Sequence, residues 1–541
     1  MTEPAQVDAL ILGGGINGCG TFRDLCAQGV DCLLLERDDF CSGASAGSSR
    51  LMHGGLKYLE TGEFRLVRES AEERDRLLCN AAHYVSPLPS ILPLRSRFGG
   101  IVPSIRRFLG AKASLTDRGS LITRAGLTLY DLYGRKVNAL PGHKMLSRRA
   151  LDTRVAGLEP GVIGAGLYYE GQLSHAERLG LELILDGEAL HPASRALNHV
   201  EILGWQDGVV TYRHGGETHS VRPRVIINAG GAWIDKVNAA LGLDTRLMGG
   251  SKGAHIVVEN EALLAALNGH MVYFGSRDGR VNLLYPFMGK VLIGATDIKI
   301  DDPDAARCEA EEAAYLRRVV TEIFPDIPVE ESQIRYRFSG VRPLPRADGE
   351  VGSVTRDHSI AELGLPGGPD VLCLIGGKWT TFRKFSEEAA DAVLARIGRS
   401  RHRSTETMAI GGGRDFPDTK EARAVWAAER ARRFGLPQRR VETLLARYGT
   451  RAEAMLEVLT KSDTPLSSLP DHGREELLHL ARTERVGTLS DLLLRRSAIA
   501  MSGRLTPEVA AEIAGLLAEE LGWDESETRD ALDRLPLSRA A

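Results

Sequence analysis

Val7-Asp8-Ala9-Leu10-Ile11-Leu12-Gly13-Gly14-Gly15-Ile16-Asn17-Gly18 carries an apolar run into a glycine turn, and Ile16 to Gln28 then read as a helix. A second apolar run, Cys32-Leu33-Leu34-Leu35, ends in Glu36, 23 residues after Gly13. Gly13, Gly15 and Gly18 fit the G-x-G-x-x-G spacing of a dinucleotide-binding βαβ unit, and Glu36 falls where a ribose-binding carboxylate belongs. Gly13 permits the tight turn, Gly15 lets backbone approach a pyrophosphate, and Gly18 lets helix and strand pack closely. The free N–H groups at the helix start then face the phosphate charge. Strand, turn, helix, strand and acid occur in order, which favours a binding motif over a plain turn. The motif does not separate FAD from NAD, but a carboxylate at Glu36 disfavours the 2′-phosphate of NADP.

Outward from that motif, the totals bound the answer. At 541 residues the chain exceeds one ordinary core, so two or three domains are expected. A formal charge of −4 gives no global reason to expect nucleic-acid binding. Glu3 and Asp8 flank the early apolar run, which reads as a first strand rather than a signal peptide. No run of 18 apolar residues goes uninterrupted by charge, so no bilayer-spanning helix is expected. The seven cysteines are odd in number and form no C-x-x-C pair. That suits free thiols in a reducing cytoplasm better than disulfides or a metal site, and no metal is expected.

Past Glu36 a small-residue stretch, Cys41 to Ser49, can wrap closely around a ligand while its hydroxyls satisfy polar atoms. His53, Lys57 and Tyr58 follow beside Gly54-Gly55. Much later Val371 to Ile375 leads into Gly376-Gly377-Lys378-Trp379-Thr380-Thr381, which repeats the opening logic of buried strand, double glycine and helix start. A helix N-terminus there would stabilise negative charge on a bound ligand. The segments "GGGINGCG", "SSRLMHGGLKYLETGEFRLVRES", "FSGVRPL" and "IGGKWTTFRKF" resemble, in order, the signatures of the FAD-dependent, quinone-linked glycerol-3-phosphate dehydrogenases, from about Asp8 to Phe385.

The resemblance implies an α/β fold: an FAD-binding, Rossmann-like domain of the glycine-oxidase and glutathione-reductase type with an interleaved antiparallel substrate sheet, then a C-terminal α-helical domain. It implies FAD held by Gly13, Gly15, Asn17, Gly18, Glu36, Ser45, Ser49, Gly230, Gly376, Gly377 and Thr380. The implied reaction oxidises sn-glycerol 3-phosphate to dihydroxyacetone phosphate and passes electrons to a membrane quinone. Such chemistry needs a hydride acceptor, a base for the hydroxyl proton and fixed cations for the phosphate. By resemblance Lys57, Tyr58 and Arg356 hold the phosphate, while Arg342, Lys378 and His53 sit near the reacting carbon. The base stays open between Lys378, which needs a depressed pKa, and His53, which needs less adjustment.

Lys57 stands where the family usually has arginine, His358 where it has tyrosine, Ser174-His175 where it has aspartates, and Phe22 and Phe382 where it has alanine and tyrosine. Arg178 remains. Lysine at 57 loses bidentate phosphate recognition, which keeps a longer polyol phosphate such as erythritol phosphate in play. An oxygen-reducing oxidase, an amino-acid oxidase of the same superfamily and a non-enzymatic flavin-bearing interaction protein are the further alternatives. The basic, apolar segment Arg95 to Leu109 could rest on an anionic bilayer, which suits the family's peripheral attachment to the cytoplasmic face of the inner membrane. A second copy of the chain is the remaining partner considered. Residues 1–400 read as the oxidoreductase domain, 401–418 as a polar, glycine- and arginine-rich linker, and 419–541 as helical.

Overall fold

A computed structural model describes residues 3–59, 62–97, 119–134, 136–137, 139–346, 357–460 and 462–535. Its centre is the strand Ala5–Leu12, buried at its C-terminal half, with Cys32–Leu35 parallel on one side and Glu217–Asn228 parallel on the other. Asp370–Ile375 extends the parallel set beside Glu217–Asn228, and Ser359–Gly364 closes that edge antiparallel. Arg195–Leu197 closes the other edge, and the hairpin Glu201–Gln206/Val209–His214 folds back on Glu217–Asn228, giving eight strands. Leu12 lies opposite both Asn228 and Leu35, so three strands finish level and their carboxyl ends open on one crevice, where open α/β sheets bind ligands.

Helices Ile16–Ala27, Ala176–Leu190 and Phe382–Arg396 cover one face of this sheet. Phe22, Leu25, Leu179, Leu183, Phe385 and Val393 interdigitate there with Ile11, Leu34 and Ile227. The chain leaves this sheet to build a second one of ten strands, almost all antiparallel. Its backbone is the pairing of Met248–Val258 with Ile334–Pro345, from Met248 opposite Pro345 to Val258 opposite Ile334. The stretch after Tyr84, with prolines at 87, 89 and 93, is a full strand, Val85–Leu94, paired along its length with Gly164–Leu173. Pro87, Pro89 and Pro93 share one parity, so their missing N–H groups fall on a single edge. Pairing with Met271–Gly275 accordingly shrinks to Ser90 and Ile91.

Beyond residue 419 the chain is helical, as its periodicity predicts. Thr419 and Thr506 cap Lys420–Phe434 and Pro507–Leu521, and Gly435 and Gly522 end them in left-handed conformation. Leu444, Leu477, Leu492, Ile513 and Leu517 form a separate core. Within it Leu489–Asp491 is one short turn running into a π turn, Leu492–Arg496, and Glu525–Asp533 follows an Asp524 cap. The stretch read as a polar linker is packed: Gly411–Gly413 are buried, Gly411 donates to Asp186 and Gly412 to Glu182, and Arg401 pairs with Asp24 at 2.8 Å. Among the described residues no helix is long and apolar enough to cross a membrane. The proposed bilayer contact lies mostly outside the described residues, which end at Arg97 on that side.

Candidate active site

The crevice at the strand ends is a cleft of about 1420 Å³, its mouth included. Gly13, Gly15, Asn17, Glu36, Ser45, Gly230, Gly376, Gly377 and Lys378 all line it. Each motif glycine does a different job. Gly13 sits at φ +110°, and a Cβ on Gly18 would fall 1.9 Å from the Gly13 carbonyl oxygen, so both are demanded by the chain itself. A Cβ on Gly15 would meet nothing closer than Ser45 Oγ at 3.6 Å. The protein leaves that space open for something else. Asn17 Oδ1 is buried at the same wall without a hydrogen-bond partner among the described residues. An open approach at Gly15, an orphaned amide oxygen and the helix N-terminus suit the pyrophosphate of a dinucleotide.

The Glu36 carboxylate accepts from the Gly14 N–H at 2.5 Å and the Asp38 N–H at 2.8 Å. Burial raises its pKa, opposed by those two N–H groups. The Ser45 hydroxyl accepts from Ile16 N at 3.0 Å, capping the start of the helix, and its carbonyl accepts from Trp379 Nε1 at 3.0 Å. The two glycine loops are thereby tied together across the cleft. Ser49 is not part of the cleft wall: its hydroxyl is 2.7 Å from Nε2 of the buried His255, on the substrate sheet. Gly18 and Thr380 also stand behind the wall. The buried Thr380 hydroxyl accepts from His53 N and donates to His53 O, both at 3.1 Å.

The second glycine loop departs from its expected form. Gly376 and Gly377 lie at φ +77° and +92°, and the helix begins only at Phe382, so the helix start is set back from the double glycine. Lys378 takes that place at the cleft. Its ammonium lies 4.2 Å from the centre of the Tyr58 ring and 3.1 Å from Ser70 Oγ. The His53 ring is 6.3 Å from that of Tyr58, so His53, Tyr58 and Lys378 form one group. Arg342 stands on the strand Ile334–Pro345 against Gly253, donating to Asp297 at 2.9 Å, Ser251 Oγ at 3.1 Å and the Thr296 carbonyl at 3.0 Å. Arg356 and the Lys57 side chain lie outside the described residues.

Several supporting residues carry no sequence signal. The Gly54 N–H shares the Tyr130 hydroxyl at 2.9 Å and Glu170 Oε2 at 3.0 Å, and Arg74 reaches that hydroxyl at 2.8 Å while pairing with Asp75. Burial alone would depress the Arg74 guanidinium, yet Tyr130, Glu170 and Asp75 hold its pKa above the ordinary value. At the cleft mouth Asp304 accepts from Trp233 Nε1 at 2.6 Å and Arg37 at 3.1 Å, and it also pairs with Lys236. Those contacts overcome its burial and hold its carboxyl at about 2. His358 stacks on Phe385 with centroids 4.4 Å apart and bonds Glu388 at 3.1 Å.

A parallel sheet with a glycine-walled cleft at its strand ends, interleaved with a second, antiparallel sheet, defines a dinucleotide-binding protein. The family described as FAD dependent oxidoreductase matches residues 8–383, and the C-terminal domain of alpha-glycerophosphate oxidase matches residues 403–528. The chain is 33% identical over 549 residues to a glycerol-3-phosphate dehydrogenase of Synechocystis, covering 96% of this chain and 94% of that one. It is also 33% identical over 409 residues to the D-erythritol 1-phosphate dehydrogenase of Brucella abortus, covering 72% and 73%. The Bacillus halodurans glycerol-3-phosphate dehydrogenase structure, complexed with FAD, shares the fold at TM-score 0.75 and 23% identity, covering 99% of this chain and 94% of that one. This chain belongs to the FAD-dependent glycerol-3-phosphate dehydrogenase and oxidase family, and its cofactor is FAD.

Proposed function

We propose that the chain oxidises sn-glycerol 3-phosphate to dihydroxyacetone phosphate and passes the electrons to a membrane quinone. The observation that carries this reading is Lys378, a cation on the cleft wall directly after Gly376-Gly377, steadied by the Tyr58 ring and Ser70. FAD, when bound, supplies the hydride acceptor. Gly13, Gly15, Asn17, Gly18, Glu36, Ser45, Gly230, Gly376 and Gly377 are the residues assigned to hold it, with Thr380 fixing the neighbouring loop and Ser49 acting from the substrate side. Lys57, Tyr58 and Arg356 are assigned to the substrate phosphate. Arg342, fixed by Asp297, and Lys378 orient the hydroxyl carbon, and His53 or Lys378 takes the hydroxyl proton. Residues 1–400 are the catalytic unit and 419–541 a helical one. The chain works on the cytoplasmic face of the inner membrane without spanning it, as a homodimer.

Erythritol phosphate is the second reading, favoured by Lys57 in place of arginine and by the Brucella relative's comparable identity. Anaerobic titration of the flavin-loaded chain with glycerol 3-phosphate, erythritol 1-phosphate and glycerol tests both. The expected result is bleaching by glycerol 3-phosphate and none by glycerol; stronger bleaching by the tetritol phosphate transfers the assignment. Peroxide release in air without quinone-analogue reduction would make the enzyme an oxidase. Lys378→Met should lower kcat/KM roughly 100-fold or more while flavin content stays normal.

A further inference from the structure

The C-terminal helical region meets the rest of the chain across a seam of buried ion pairs, and one part of that seam is hollow. A cavity of about 740 Å³, its mouth included, lies there, and none of its lining residues lines the cofactor cleft. Its walls carry Arg178, Lys290, Arg447, Arg496 and Arg504 with the imidazoles of His175 and His472, and no carboxylate. The balancing acids stand behind the walls. Arg178 makes a two-pronged pair with Glu484 at 2.8 and 2.9 Å, and Arg496 does the same with Asp39 at 2.6 and 2.8 Å.

Arg447 is matched as well, by Glu476, by the carboxylate and carbonyl of Asp471 and by His472. The other two cations are matched less fully. Arg504 shares Oδ2 of Asp471 with Arg447, at 2.9 Å, and otherwise meets Nδ1 of His472 at 3.3 Å. Lys290 is 13% exposed, yet its ion pair is a 3.4 Å contact with Glu259, a surface acid already held by Arg335 at 2.7 Å. His175 reports the local field. Burial first, then Arg178, Arg50, His83 and Arg447, push its imidazole down to about 3. A hollow of donors with no acid on its surface suits a compact dianion with several acceptor oxygens, and arginine forks match phosphate geometry.

We propose that this seam cavity binds a phosphate-bearing metabolite, its oxygens bridging Lys290 on the second sheet to Arg504 on the helical region. Bound there, the ligand is not turned over; it joins the two parts of the molecule across the gap. The test is calorimetric titration of the flavin-loaded full chain with inorganic phosphate, comparing the natural chain with the Lys290→Gln/Arg504→Gln variant. The variant should lose one bound phosphate per chain, or bind it roughly tenfold or more weakly. It should also lose the rise in Tm that phosphate gives the natural chain. Its turnover and flavin absorbance should not change. If circular dichroism shows the double variant misfolded, Lys290→Gln alone must show the same loss in part. Equal phosphate stoichiometry and affinity in natural chain and variant would overturn the proposal. So would no phosphate binding at all, with Lys290-dependent co-sedimentation on phosphatidylglycerol vesicles, which would assign the cavity to a lipid headgroup.

Discussion

The wall that faces the dinucleotide and the wall that carries His53, Tyr58 and Lys378 are made of different materials. The first is backbone. Its working parts are the turn at Gly13, the bare flank of Gly15, and the N–H groups of Gly14 and Asp38 on Glu36. The second is side chain on side chain, with the Gly54 turn resting on Tyr130 and Glu170, and these on Arg74. The two must fail in different ways. A backbone wall is spoiled by adding atoms, because a Cβ strikes the chain itself at Gly18 and takes the open space at Gly15. A side-chain wall is spoiled by removing them, because a buried charge is left without its counterpart.

The largest effect should come from the second wall. Arg74→Met leaves Glu170 and Asp75 buried without their cation and should cost about 3–5 kcal/mol, read as a fall in Tm. A fall of less than about 1 kcal/mol would mean that the network carries no net charge stress. Next comes Gly18→Ala, whose new methyl overlaps the Gly13 carbonyl. It should lose about 1–3 kcal/mol of stability together with bound flavin. Gly15→Ala sharpens the contrast. The flavin-free chain should keep its Tm, while the FAD dissociation constant rises about tenfold or more, ~1.4 kcal/mol. Equal losses of Tm in the two alanine variants would erase the distinction between the glycines.

The smallest effect is a slope. Burial, with Arg342 and Arg50 adding to it, holds His255 at about 3 against an ordinary 6.5. Between those values the unfolded chain takes up a proton that the folded one refuses, so stability is complete above 6.5 and declines as pH falls toward 3. His255→Asn removes one such proton and should flatten the decline by about 1.4 kcal/mol per pH unit in that window. His175, also held near 3, continues to titrate in the variant. An unchanged slope would show that His255 protonates in the folded chain.

The two walls also differ in how much of them could be read beforehand. The dinucleotide wall is written in consecutive residues, and a glycine spacing is legible because its physics is local. The network under Gly54 draws on Glu170, 116 residues away, and its Tyr130 and Arg74 are 56 apart, distances at which no spacing rule operates. Ser49 reads as a cofactor hydroxyl by its small neighbours, and only the substrate sheet, arriving with His255, shows its partner. The helix expected at Gly376 starts later because two successive left-handed glycines precede it. The 401–418 stretch reads as a tether by composition, but Arg401 pairs with Asp24 and Asp391 on two helices and Gly411 and Gly412 donate to Asp186 and Glu182. Arg178, Glu484, Arg495 and Arg496 form the seam, with Arg495 and Arg496 both turned to Asp39, pairings that no local spacing announces.

Asp39 follows Glu36 by three residues, and its carboxylate is fully buried under guanidinium groups contributed from the far end of the sequence. A chain cut short before those arginines would therefore bare the Asp39 carboxylate, while stranding Arg178 without Glu484. The helical tail thus supplies the countercharges for ions that the first four hundred residues bury.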